Sequence, residues 1–174
     1  MAKVSFAKLG LTKNQEVKTI EWGEYLIEVK QYLPINEKLN LISNVINFAH
    51  DENNYSNPVK VDVYTALEIM YAYTNINFTD KQKEDVTKLY DLIVSSGLYT
   101  KILEAIPCNE HCNLLSAIKK SIDAIYAYQN SVMGILDTIS TDYSNLDLNA
   151  SEIQKTLADP NNMELLRNIL EKLG

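Results

Sequence analysis

Between residues 17 and 32 apolar and polar side chains alternate; from residue 35 onward they recur every three or four positions. The first pattern is that of strands with one buried face, the second that of amphipathic helices. Val17–Trp22 and Tyr25–Tyr32 read as two strands joined by Gly23-Glu24, a two-residue loop with glycine first that suits a type II′ hairpin. This register sets Trp22 opposite Tyr25, Ile20 opposite Ile27 and Lys18 opposite Val29. One face then carries Trp22, Ile20, Tyr25, Ile27 and Val29. The other carries Thr19, Glu21, Glu28 and Lys30, with Val17 and Leu26 as apolar exceptions. Val4–Phe6 is expected to add a third strand. A lone hairpin is marginal in water, so this one must pack on helices.

After Leu33-Pro34 the stripe Leu39, Ile42, Val45, Ile46, Ala49 predicts a helix over roughly 35–50. Residues 51–57 form a polar loop. Asn57-Pro58 has the form of an N-cap followed by proline in the first helical position, and Val59, Val63, Leu67, Met70 and Tyr73 carry that helix to about residue 74. The alternation in VKVDV leaves its start open to a strand. Thr79-Asp80-Lys81-Gln82 has capping-box spacing, Gly97 is a natural helix stop, and Leu98–Ile106 is a short helix ending before Pro107. The longest helical pattern runs from Glu110 to Asp142; short helices are expected after Ser151 and after Asp159-Pro160. The expected fold class is mainly α: a helical bundle (34–174) with a short N-terminal β-hairpin element (1–33) packed on it, one compact unit overall.

In the long helix Leu115, Ile118, Ile122, Ile125, Gln129, Val132, Leu136, Ile139 and Tyr143 follow in alternating steps of three and four. This is a heptad seam with one polar member, and it calls for another helix. Its occupant is either a neighbour in the same bundle or a helix of another chain. The set Leu115 to Ile139 is therefore the candidate partner-binding surface.

Composition narrows the function. With 16 basic and 23 acidic side chains the formal charge is -7, which argues against nucleic-acid binding. Arg167 is the only arginine, leaving no cluster of bidentate phosphate forks. The 18 Asn, 17 Ile and 11 Tyr read as the codon bias of an AT-rich genome. The opening residues, MAKVSFAKLG, contain no continuous apolar stretch of a secretory signal, and no apolar run reaches membrane-spanning length. Cys108 and Cys112, in a chain large enough to build a core without staples, point to a reducing compartment.

Cys108-Asn-Glu-His111-Cys112 is the one cluster of metal-ligand residue types. A structural zinc site needs four ligands, and no second cluster supplies the rest; the same residues on one helical turn give poor geometry for a Cys–His nucleophile pair. The expectation is no metal and no cofactor. No phosphate-binding glycine loop, nucleophile elbow or zinc-protease motif occurs. The acidic pairs Asp51-Glu52 and Glu84-Asp85 lie in polar stretches, and Tyr71, Tyr73, Tyr126 and Tyr128 fall at helical spacings suited to packing. The chain reads as a non-enzyme.

The stretch Thr19–Pro34, TIEWGEYLIEVKQYLP, followed directly by the helix Glu37–Ile46, resembles the opening of small proteins encoded in the tail-assembly region of long-tailed phages. The segments YAYTNI (71–76) and NSVMGILDTI (130–139) are similar to such proteins too. The resemblance covers most of the chain in layout and rests on short motifs. It implies a non-enzymatic tail assembly chaperone working in the host cytoplasm. Its partner would be a phage-encoded helical protein such as a tape measure protein, kept soluble until the tail tube polymerises round it. No membrane or nucleic-acid partner is implied; a homo-oligomer is compatible. A virion structural component, either a head–tail connector or a capsid accessory protein, and an inhibitor of a host defence protein are the alternative readings.

Overall fold

The computed structural model describes residues 3–50 and 55–137. The chain divides into two compact units, residues 1–125 and 126–174. The fold is mainly helical with a two-stranded antiparallel hairpin near its N-terminal end. The hairpin consists of β1 (Val17–Trp22) and β2 (Tyr25–Lys30), in the register expected from the alternation: Trp22 opposite Tyr25, Ile20 opposite Ile27, Lys18 opposite Val29. Gly23 holds a positive φ of 62°, which the first position of a tight hairpin turn demands and which a Cβ would strain. Ile20, Ile27 and Val29 are buried, Trp22 is half-buried, and Tyr25, at the tip, is exposed. The expected third strand is absent. Residues 3–16 are exposed throughout, and Phe6–Leu9 close a 3-10 turn that ends on Gly10 in the left-handed region.

Helix α1 (Ile35–Ala49) follows its N-cap Pro34, whose ring holds its own φ at -54° and crowds the residue before it out of the helical region. Its buried line is Leu41, Val45 and Ala49. The expected stripe had begun at Leu39, which is exposed; the two candidate stripes share Val45 and Ala49, and neighbouring elements decide between them. Helix α2 (Pro58–Tyr73) starts as the Asn57-Pro58 pair dictates. The Asn57 side-chain oxygen accepts hydrogen bonds from the N–H groups of Val59 (2.9 Å) and Lys60 (3.3 Å), which resolves the helix-or-strand ambiguity of VKVDV in favour of helix. From Thr65 to Met70 every residue of α2 is buried, as is Tyr73. A helical stretch buried on all sides, as Thr65–Met70 is, marks the centre of its unit.

Helix α3 (Asp80–Glu84) opens with the full capping box: the Thr79 hydroxyl accepts from the Gln82 N–H, and the Gln82 side chain accepts from the Thr79 N–H. Asp85 then caps a separate α4 (Val86–Ser95) by accepting from the Lys88 N–H. Gly97, with φ 81°, ends that stretch and leads into α5 (Leu98–Ala105). Pro107 precedes α6 (Cys108–Gln129). The core of residues 1–125 joins Ile20, Ile27 and Val29 to Leu33, Leu41, Val45, Leu67, Ile69, Met70, Tyr73, Leu89, Ile93, Ile102, Leu114 and Ile118. Each fully buried aliphatic side chain among these stabilises the fold by roughly 1.5–3 kcal/mol.

Polar bonds fasten the hairpin to the helices. The Gln31 side-chain amide donates to the Ala105 carbonyl (3.0 Å), the Lys101 ammonium to the Glu21 carbonyl (2.6 Å), and Asn75 exchanges bonds with the Glu28 backbone (3.0 and 3.3 Å).

The long helix expected from Glu110 to Asp142 is interrupted. Helix α6 ends at Gln129, Asn130 and Ser131 form a turn, and a new helical turn begins at residue 132. The Asn130 side chain donates to the Tyr126 carbonyl and the Ser131 hydroxyl to the Tyr128 carbonyl, while Ser131 accepts from the Gly134 N–H as the cap of the next turn. A Cβ on Gly134 would stand 2.1 Å from the Tyr128 carbonyl oxygen, so any larger residue there would force the backbone of this turn to shift. Ser and Asn compete with helix hydrogen bonding by such local side-chain bonds, which heptad spacing alone does not register. The helices expected beyond Ser151, together with Ile139 and Tyr143 of the seam, lie outside the described residues.

Candidate functional site

The seam residues do not share one environment. In the first unit Ile118 is buried, Ile122 packs against the core from a half-buried position, Ile125 is half-buried, and Leu115 is 40% exposed. The neighbouring Leu114 takes the inward place that the heptad would give Leu115. In the second unit Gln129 is half-buried at the last position of α6. Val132 and Leu136 are 75% and 52% exposed, with Met133 and Ile135 exposed between them. The N-terminal half of the seam is thus largely an internal contact. Residues 132–136 present apolar side chains outward.

A second set of residues, invisible in the sequence pattern, meets at Glu110. This glutamate sits in the first turn of α6 and is 7% exposed. Its Oε1 accepts from the Leu33 N–H (2.9 Å) and the Tyr73 hydroxyl (2.9 Å); its Oε2 accepts from the Lys38 ammonium (2.8 Å). Lys38 also lies 4.5 Å from the centre of the Tyr32 ring, a cation–π contact. One carboxylate therefore ties together the chain after β2, α1, α2 and α6. Burial pushes the Glu110 carboxyl up, but the hydrogen bonds from Lys38, Leu33 and Tyr73 and the Lys38 charge outweigh it and hold the group below the usual carboxylate range. Burial, and then the bond to Glu110, push the Tyr73 hydroxyl far above its ordinary value. Both oxygens of Glu110 are engaged, and its proton affinity is low. The arrangement clamps elements together and is unsuited to accepting a substrate proton.

Glu68, on α2, is the other buried acid among the described residues. Asn44 donates to it (3.0 Å), yet burial prevails and raises its pKa. The Tyr99 hydroxyl is pushed up to about 12 by burial and the proximity of Tyr90 and Asp62.

Cys108 and Cys112 are exposed and free, with their Sγ atoms 3.5 Å apart on successive turns of α6. The hydrogen bond to Cys108 pushes the Cys112 thiol up, the opposite of what a reactive thiolate requires. Among the described residues no group of three or more His, Cys, Asp and Glu side chains is placed to hold a metal ion. An open cleft of about 630 Å³ beside α3 and α4 is lined by Lys81 and Lys88 as well as Glu84 and Asp85, so it focuses no charge of either sign. Of the aromatic set, Tyr73 is core and Tyr71 meets Phe78 edge-on at 5.0 Å.

Sequence reasoning missed Glu110 because a glutamate in the first turn of a helix is ordinarily a solvated partner of the helix dipole. The one available signal was its place on the same helical side as Leu114 and Ile118, four and eight residues on. The chain matches no protein-family model, no curated protein and no solved structure.

Proposed function

We propose that this chain is a non-enzymatic protein-binding factor that holds apolar helical segments of another protein. In the finer reading it is a phage tail assembly chaperone acting on a tape measure protein in the host cytoplasm. The observation that carries the reading is the run Val132, Met133, Ile135, Leu136, all at least half exposed on a helical turn. Four outward apolar side chains within five residues are costly in water and are suited to helix-in-groove association. The net charge of -7 supports it by keeping such a surface soluble. Among the described residues no helix is long and apolar enough to cross a membrane.

The test is co-expression with a long helical phage tail protein, comparing the natural chain with the Val132→Glu/Leu136→Glu variant. The natural chain is expected to keep the partner soluble and to co-purify with it, and the variant to lose at least tenfold of the co-purified partner. Equal recovery with both chains overturns the assignment of residues 132–136. No recovery with either overturns the chaperone reading. A fixed copy number in purified virions would favour the structural-component alternative instead.

A further inference from the structure

We propose that residues 3–11 of one copy pair, as an added strand, with the open edge of β1 in a second copy, so that two chains exchange these segments reciprocally. The hairpin register identifies the open edge. The Gln31 N–H donates to the Glu16 carbonyl, so the residues of β1 that face β2 through their backbone are the even ones, and Val17, Thr19 and Glu21 point outward. The outer edge of β2 is closed at its middle: Glu28 bonds Asn75 on both its backbone groups, and Val29 bridges to Thr74. On β1 the Glu21 carbonyl is taken by Lys101. The outward N–H and C=O groups of Val17 and Thr19 meet no partner among the described residues. An open strand edge is a template for another strand, and natural edges are usually blunted or covered.

The same chain carries a segment that fits. Val4, Phe6, Leu9 and Leu11 are 52–76% exposed, and within each pair they stand two residues apart, as on one side of a strand. Residues 3–15 hold Lys3, Lys8 and Lys13 and no acidic side chain, whereas Glu16–Lys30 hold four glutamates against two lysines. The segment is thus cationic and apolar. The hairpin is anionic, with Val17 and Leu26 exposed on its outer face. Within its own chain the segment forms the 3-10 turn Phe6–Leu9 and buries none of its residues. Reciprocal exchange gives a closed two-fold dimer, which uses up both edges and cannot propagate.

Light scattering on a sizing column, run on the full chain at tens of micromolar, tests this. The natural chain is expected at twice the chain mass, with dissociation increased at least tenfold between low salt and 0.5 M salt. Thr19→Pro removes an outward N–H that β2 does not use, a change that edge strands tolerate. Phe6→Lys alters a side chain with no packing role in its own chain. Each variant is expected to run as a monomer with unchanged far-ultraviolet circular dichroism. A monomeric natural chain overturns the proposal, whether residues 3–11 exchange their amide protons freely or are protected by pairing with their own β1. A dimer that persists in both variants overturns it as well.

Discussion

Glu110 shows how one residue is governed by its surroundings. Its carboxylate is buried, triply hydrogen-bonded and paired with Lys38. Removing one partner of a buried pair leaves the other charge uncompensated, typically at about 3–5 kcal/mol. Lys38 retains some contact with water, so Glu110→Gln is expected to cost somewhat less, about 2–3 kcal/mol at pH 7, measured by urea unfolding. The pH dependence has a defined sign. The folded carboxyl titrates below its unfolded value near 4.5. Its contribution is therefore complete above that value and disappears as pH falls through the folded pKa. The gap between the natural chain and Glu110→Gln should narrow on acidification below about pH 4.5; a gap that widened there would mean that the clamp is not held as the carboxylate.

At the scale of elements, ends were more legible than faces. Asn57, Thr79 with Gln82, and Gly97 act where their residue types say they should, because a cap is a contact between chain neighbours. Asn57→Ala is expected to lower stability by about 1 kcal/mol, read as a shift of the urea midpoint at unchanged slope. No shift would show that Pro58 alone is enough to start α2. The inward faces of α1 and of α6 moved by a residue or two, from Leu39 to Leu41 and from Leu115 to Leu114. In both helices two neighbouring stripes were apolar enough, and only the packed neighbours choose between them. The break at Asn130-Ser131 went unseen for a related reason: heptad spacing counts apolar residues and ignores the local polar bonds that end a helix.

Across the whole molecule the first unit is organised round α2, which is buried from Thr65 to Met70, while α3 buries none of its five residues. Native-state hydrogen exchange is expected to show amides at Leu67–Met70 opening only with global unfolding and those of α3 opening locally at far lower free energy. Equal protection in the two helices would deny α2 its central place. The amino-acid sequence by itself determined the helical class, the hairpin with its residue-by-residue register, and most helix ends. All of these follow from period, glycine and caps acting over a few bonds of chain. Only the tertiary structure decided that residues 3–15 stay exposed, which apolar stripe turns inward, and that one glutamate gathers Leu33, Lys38 and Tyr73. The reason is physical. Burial and the pairing of charges depend on groups 37 to 77 residues apart in the chain, and their meeting is set by how whole elements pack rather than by the residues that flank each one.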